Sequence, residues 1–162
     1  QIVEVLQETR GHALLMAADH ITDEGNLGAL IRTAAFFGAQ GMIIPKDRSA
    51  GVTPVVVKRS SGALVHLPVA RVVNLGRAQD ILEKKGFWII GASGESPCSI
   101  HGFDWNRDLV VVMGNEEHGL SRSVRQRCHQ VVSIPAPGTV ESLNVSVAGG
   151  IILAEICRQR KL

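Results

Sequence analysis

The stretch Leu109-Val-Val-Val-Met113-Gly114-Asn115-Glu116-Glu117-His118-Gly119-Leu120 decides the fold class. An unbroken apolar run enters a glycine turn crowded with polar side chains. Such a run, with no polar alternation, reads as a strand covered on both faces, which is the pattern of a parallel sheet. In open α/β sheets ligands sit beyond the carboxyl ends of the strands, so the turn itself becomes a candidate site. Glu116 and Glu117 stand in tandem and cannot both face one site, so at most one is expected to serve. His118 reads as a bystander. It has no partner at i+4 and no cysteine nearby, which excludes a metal reading.

Similar runs recur on both sides of this stretch. Residues 13–17, 41–44, 88–92 and 130–134 read as further buried strands. Between the strands, helices are expected at 25–37, 52–60, 75–85, 121–127 and 144–160. In the first helix Leu27, Leu30, Ile31, Ala34 and Gly38 keep the three-four spacing of a core-facing stripe. Strand and helix in alternation predict an α/β domain with a mostly parallel sheet flanked by helices. Residues 93–108 form a Gly- and Pro-containing loop, long enough to carry function.

The chain has 162 residues, of which 45% are hydrophobic and 20% charged. These values describe an ordinary globular domain and exclude a disordered tail. A net charge of +2 neither demands nor forbids an RNA partner, because local clustering decides that question. Cys98, Cys128 and Cys157 form no CxxC pair, so a disulfide framework and a cysteine zinc site are both disfavoured and a reducing cytoplasm is expected. No apolar run approaches the roughly 18 residues of a membrane span. The chain starts at Gln1 and not Met, from which a preceding segment is expected; residues 1–12 read as a linker remnant or N-terminal extension.

Two other segments carry chemistry. In Asp19-His-Ile-Thr-Asp-Glu-Gly-Asn26-Leu-Gly28-Ala-Leu-Ile-Arg32-Thr33, a strand opens a helix through a glycine-containing loop. Glycines let a backbone approach a ligand, and free helix N–H groups can hold an anion. Arg32 falls more than about 120° from the centre of the apolar stripe and points away from the core. The same residues also fit a plain strand–helix turn with a surface arginine. In Ile134-Pro135-Ala-Pro-Gly-Thr-Val-Glu141-Ser142-Leu143-Asn144-Val-Ser146-Val147-Ala-Gly149-Gly150, a strand end meets a Pro/Gly loop and then a helix. Ser142 or Asn144 would serve equally as that helix's cap. Gly149 and Gly150 each cost a helix about 1 kcal/mol against Ala, which predicts close packing on that face, with another subunit as the candidate.

Taken together the three segments resemble the SpoU (TrmH-like) branch of the SPOUT methyltransferases. The carrying motifs are Asn26-x-Gly28-x-x-x-Arg32-Thr33, Met113-Gly114-Asn115-Glu116-x-x-Gly119-Leu120, and Ile134-Pro135 followed by Glu141-Ser142-Leu143-Asn144-Val145-Ser146-Val147-Ala148. The middle text, Ile44-Pro-Lys-Asp-Arg48-Ser-Ala and Ser61-Gly-Ala-Leu-Val-His-Leu-Pro68-Val, is similar to the bacterial 23S ribosomal RNA guanosine 2′-O-methyltransferases. The resemblance implies that residues 13–162 form a catalytic domain whose C-terminal segment is threaded into a deep trefoil knot. It also implies transfer of methyl from S-adenosylmethionine to a ribose 2′-hydroxyl, by a cytoplasmic homodimer whose active site draws on both subunits. A further RNA-binding domain is expected ahead of the chain.

The resemblance implies a cofactor pocket at Ala92, Ser93, Gly94, Met113, Gly114, Asn115, Gly119, Leu120, Ile134, Pro135 and Leu143. Arg32 is implied as base or activator, with Asn26, Glu116, Ser142 and Asn144 orienting ribose and arginine. An arginine base sits badly with a guanidinium pKa above about 12, so stabilisation of a forming alkoxide stays open beside it. RNA contact is expected from Lys46, Arg48, Lys58, Arg59 and Arg71, against the plainer reading of solvated charges. No metal is expected, and none of the histidines or cysteines is assigned a role. Two alternatives stand beside the rRNA reading: a transfer-RNA methyltransferase of the same kind, and a non-catalytic RNA-binding member of the fold. A Rossmann-type oxidoreductase is discounted, because no GxGxxG follows a strand.

Overall fold

The computed structural model describes residues 11–162, so the expectation for residues 1–10 lies outside the described residues. Six strands form one parallel sheet: β1 (Leu14–Ala18), β2 (Gly41–Pro45), β3 (Val69–Val72), β4 (Trp88–Ala92), β5 (Leu109–Met113) and β6 (Gln130–Val132). Their spatial order is β3-β2-β1-β5-β4-β6. The centre is β1 against β5, in register from Leu14–Leu109 to Ala18–Met113. The helices are α1 (Glu24–Phe36), α2 (Pro54–Arg59), α3 (Leu75–Lys84), α4 (Arg122–Gln126) and α5 (Val145–Arg160).

Alternate residues of the buried strands feed two separate cores, as the twofold period of a strand requires. Leu14, Met16, Met42, Ile44, Val111 and Met113 face α1, α2 and α5. Leu15, Ala17, Ile43, Val110 and Val112 face α3 and α4 through Leu75, Leu82 and Val124. Both faces of the central strands are covered, so β1, β2 and β5 are apolar throughout.

The expected strands and helices are present within a few residues, with one omission. β3 was not anticipated: Val69-Ala-Arg-Val72 lies at the sheet edge, is only half-buried, and carries the exposed Arg71. The run 130–134 is shorter than expected as a strand. It ends at Val132, after which Ser133 makes a lone bridge to Ser99 of the 93–108 loop.

Local caps explain the helix starts. Asp23 accepts from the Asn26 amide at 2.7 Å, Asn74 from Arg77 at 2.8 Å, and Asn144 from Ser146 at 2.9 Å. The cap of α5 is therefore Asn144 and not Ser142. Pro54 opens α2, a position where its missing N–H costs nothing.

The close packing predicted on that face occurs within the chain at Gly149, whereas Gly150 has ordinary contact distance. A Cβ on Gly149 would lie 2.6 Å from Leu30 Cδ1 on α1, and one on Gly150 would lie 3.4 Å from Thr33 Cγ2. The basic end of α5 also does more than complement the helix dipole. Arg160 donates to the carbonyls of His12, Ala13, Trp105 and Arg107 at 2.7–3.3 Å, tying α5 to the starts of β1 and β5.

On the same helix, buried Glu155 accepts from Arg158 Nε and Nη2 and from Gln159 Nε2, all at 2.8 Å. These bonds, Arg158 first, hold its carboxyl down at about 2, against an ordinary 4.5. A depressed native pKa contributes stability that is complete above 4.5 and disappears as pH falls through about 2. Denaturant titrations from pH 6 to pH 2 are expected to show the parent losing more stability across that window than Glu155→Gln. Equal slopes would show that the carboxylate does not contribute.

Candidate active site

The sheet order reverses between β1 and β5, because β2 and β3 lie on one side of β1 and β4 and β6 on the other side of β5. At such a reversal the loops leaving adjacent strands diverge and open a crevice beyond the carboxyl ends. A crevice of about 880 Å³ opens here, lined by residues that follow β1, β2, β3 and β5.

The loop after β5 is shaped by its glycines. Asn115 N–H donates to the Gly119 carbonyl at 2.9 Å and Gly119 N–H returns the bond at 3.0 Å. Gly119 adopts φ 66°, a left-handed conformation that glycine reaches without strain. This tight turn projects Glu116 toward β1. Its carboxylate accepts from the amides of Thr22 (3.4 Å) and Asp23 (3.2 Å) and from Asn26 Nδ2 (3.4 Å). Glu117 is turned outward beside His118, both more than four-fifths exposed. The tandem carboxylates thus divide as expected.

Asn26 joins a third segment. Asn144 Nδ2 donates to Asn26 Oδ1 at 2.8 Å, while Asn144 Oδ1 caps α5 through the amides of Ser146 and Val147 and the Ser146 hydroxyl. Residues 118 apart in the chain are thereby in direct contact, and Glu116 is bonded to the same Asn26. Of the predicted catalytic set, Asn26, Glu116 and Asn144 come together. Ser142 is exposed in the loop before α5.

Arg32 does not join this cluster within the chain. It lies six residues beyond Asn26 on α1, about 9 Å along the axis and a third of a turn away in azimuth. Its Nη1 donates to Ser61 Oγ at 3.3 Å. The outer faces of α1 and α5 carry exposed apolar side chains: Phe36 on α1, and Val147 and Ile151 on α5, are exposed by 82%, 50% and 36%.

The predicted cofactor residues lie on several loops. Ala92, Ser93 and Gly94 leave β4, with Ser93 N–H bonded to the Val132 carbonyl at 2.9 Å. A Cβ on Gly94 would stand 3.9 Å from the Glu141 carbonyl, so these loops run side by side. Ile134 is half-buried against the core, whereas Pro135 and Leu143 are exposed. Met113 ends β5 and Gly114 follows it. Two side chains point elsewhere. Asn115 Nδ2 donates to the His20 carbonyl at 2.7 Å, and Leu120 is buried on the α3–α4 side. Only their backbone remains for a cofactor.

The basic residues fall into two groups. Lys46, Arg48 and Arg71 sit around the loop after β2, where Arg71 Nη2 donates to the Lys46 carbonyl at 3.3 Å and Arg48 lines the crevice. Lys58 and Arg59 close α2, and Arg59 lies against Gly28 and Gly25 at the start of α1. Among the thiols, Cys128 is pushed up to about 11, by burial first and by the charge of Asp19 second, which leaves it a poor nucleophile. Among the described residues no group of His, Cys, Asp or Glu has the arrangement of a metal site, and no helix is long and apolar enough to cross a membrane.

A parallel α/β domain with a polar asparagine–glutamate junction at the switch of its sheet defines a class of ligand-binding α/β proteins. Its sequence places it more narrowly: residues 13–154 match the SpoU rRNA Methylase family, and the chain belongs to that family. It is 49% identical over 149 residues to an uncharacterized tRNA/rRNA methyltransferase of Mycobacterium avium, covering 92% of this chain and 48% of that protein. It is 45% identical over 159 residues to the 23S rRNA (guanosine-2′-O-)-methyltransferase RlmB of Xylella fastidiosa, covering 98% and 64%. Among solved structures, the SpoU methyltransferase AviRb from Streptomyces viridochromogenes in complex with AdoMet superposes with a TM-score of 0.90 at 33% identity, over 99% of this chain and 65% of that one. The chain spans about half the length of the first of these relatives and about two thirds of the other two.

Proposed function

We propose that this chain transfers a methyl group from S-adenosylmethionine to a ribose 2′-hydroxyl of RNA, and that the target is a guanosine of 23S rRNA. The observation that carries the reading is the junction of Asn26, Glu116 and Asn144, which unites the three motif segments at one point of the sheet. The name of the RlmB relative supports the choice of rRNA over tRNA.

The residues present fit the cofactor. Among the described residues, no backbone hydrogen bond within the chain ties down residues 134–143, and that stretch exposes Val140 and Leu143. Free amides and carbonyls beside exposed aliphatic side chains suit a ligand with a flat apolar ring and a polar edge. The backbone of Ser93, Gly94, Gly114, Ile134 and Leu143 would hold it. When bound, S-adenosylmethionine supplies an electrophilic methyl on a sulfonium. We take the passage of 133–144 beside the 93–99 loop as the site of the knot.

The chain's own task is to align and to manage a proton. Positioning an attacking oxygen can supply several kcal/mol. Asn26 and Asn144 brace one another, so the amide and carboxylate edges beside them are fixed before RNA arrives. Arg32 lies outside this cluster, and we assign it to the partner's site in a homodimer formed over the apolar faces of α1 and α5. There its guanidinium, which carries only donors, would steady the negative charge developing on the 2′-oxygen, while the hydroxyl proton passes to solvent water. Lys58 and Arg59, on the same flank, and Lys46, Arg48 and Arg71, at the crevice, contact phosphate. The place of action for such a substrate is the cytoplasm.

Calorimetric titration with S-adenosylmethionine is expected to give saturable binding, weakened in Asn144→Ala. Transfer of labelled methyl to unmodified 23S rRNA, and not to tRNA transcripts, is expected to follow. Methylation of tRNA alone would replace the rRNA target. A folded dimer that binds RNA but no S-adenosylmethionine would favour a non-catalytic member of the fold.

A further inference from the structure

One wall of the crevice includes a residue to which sequence reading assigns nothing. His20, two residues past the end of β1, has φ 57°, the left-handed conformation that favours glycine. It is held there from both sides: Asp19 N–H donates to the Met113 carbonyl at 2.8 Å, and Asn115 Nδ2 donates to the His20 carbonyl at 2.7 Å. Asp19 is 1% exposed, and its carboxylate accepts from the Ser121 amide and, at 2.8 Å, from His20 Nδ1. A buried carboxylate thus orients the imidazole. With Nδ1 committed, Nε2 is the ring nitrogen left for a ligand.

Arg48, across the crevice, has the same backbone conformation, with φ 51°. Both line the cavity together with Asn74, Asn26 and Glu116. Four described non-glycine residues, His20, Arg48, Ser61 and Lys161, have positive φ, and the first two face this one cavity. The carboxylates on that wall are already engaged, Glu116 by the Thr22 and Asp23 amides and Asp23 by the Asn26 amide. Glu117 also lines the crevice, but at its outer rim, where its side chain is largely exposed. The cavity volume lies in the range of small-molecule and nucleotide sites.

We propose that this crevice is a nucleotide subsite for the RNA substrate, in which His20 binds the base edge through Nε2 and Arg48 binds a phosphate. The inference rests on the RNA-modifying reading of the chain and adds to it where the polynucleotide leaves the reacting ribose. His20 is a binding residue here and takes no part in the methyl transfer.

The test uses His20→Gly, which relieves the backbone conformation while removing the ring, together with Arg48→Ala. Affinity for unmodified 23S rRNA is measured by filter binding, kcat and KM for that RNA by labelled methyl transfer, and S-adenosylmethionine affinity by calorimetry. Each variant is expected to lose about tenfold in RNA affinity and to gain about tenfold in KM. S-adenosylmethionine affinity should stay within about twofold, and His20→Gly should melt no lower than the parent. RNA affinity and KM unchanged in both variants, with the parent methylating, would overturn the subsite alone. A parent that binds RNA without methylating it defeats the proposed reaction, and the filter-binding comparison still decides the subsite. A parent with no affinity for RNA overturns both.

Discussion

Gly114→Ala is expected to lower the thermal midpoint by about 6–12 °C, corresponding to about 3 kcal/mol in a domain of this size. The cause is steric and local. A Cβ at residue 114 would stand 2.4 Å from the Gly119 carbonyl carbon, 2.6 Å from the Leu120 nitrogen and 2.8 Å from the Gly119 oxygen. All three are backbone atoms of the turn closed by the paired bonds between Asn115 and Gly119, so no side chain can rotate away to relieve the contact. Relief requires the turn to open, and Glu116 moves with it, leaving the Thr22 and Asp23 amides without their acceptor. Gly149→Ala makes a useful contrast. Its nearest contact, Leu30 Cδ1 at 2.6 Å, is the tip of a side chain, and alanine also favours the helix by about 1 kcal/mol. Differential scanning calorimetry of the two variants should rank Gly114→Ala well below Gly149→Ala. The reverse order would mean that the turn after β5 yields more readily than its backbone contacts imply.

Asn144→Asp is expected to leave the fold intact and to reduce kcat/KM for RNA methylation by about a hundredfold. Aspartate is as good a helix cap as asparagine, so the amides of Ser146 and Val147 keep their acceptor and the start of α5 is preserved. What disappears is the Nδ2 donor to Asn26 Oδ1. A carboxylate now faces a carbonyl oxygen, with the Glu116 carboxylate bonded to the far end of the same amide. Asn26 must flip or withdraw, and a displacement near 1 Å at a positioning group is enough for that loss of rate. Thermal midpoints within a few degrees of the parent, alongside the kinetic loss, would separate alignment from stability. Full activity in Asn144→Asp would show that the asparagine pair contributes only to the cap.

The parts of this fold that were legible in the sequence are those whose environment is uniform. β1, β2 and β5 are buried along their whole length, so each appears as an uninterrupted apolar run. β3 has one neighbour, follows Pro68, and sets Arg71 in solvent, so its four residues carry no pattern that distinguishes them from a loop. In the site, the turn after β5 could be seen from its glycines. The meeting of Asn26 with Asn144 could not, because helical and strand periodicities say nothing about residues 118 apart; only the family resemblance placed the two motifs together. In the sequence Arg160 is only a charge at a helix end, since its four carbonyl partners belong to segments brought close by the sheet. His20 escaped notice for a different reason: its distinguishing property is a dihedral angle, which no side-chain pattern encodes.

The pairing of β1 with β5 also has a kinetic consequence. Leu14 finds Leu109 only after the 94 intervening residues have been made, an interval of roughly 5–20 s at ribosomal speeds. Until then β1 can zip to β2 alone, and its other flank is an open row of amides and carbonyls, a template for any passing strand. Non-local closure of this kind is slow even in the finished chain. The same strand order that opens the crevice therefore makes the middle of the sheet a late event in the birth of the molecule, and nascent chains ending short of Met113 lack the seam on which the site depends.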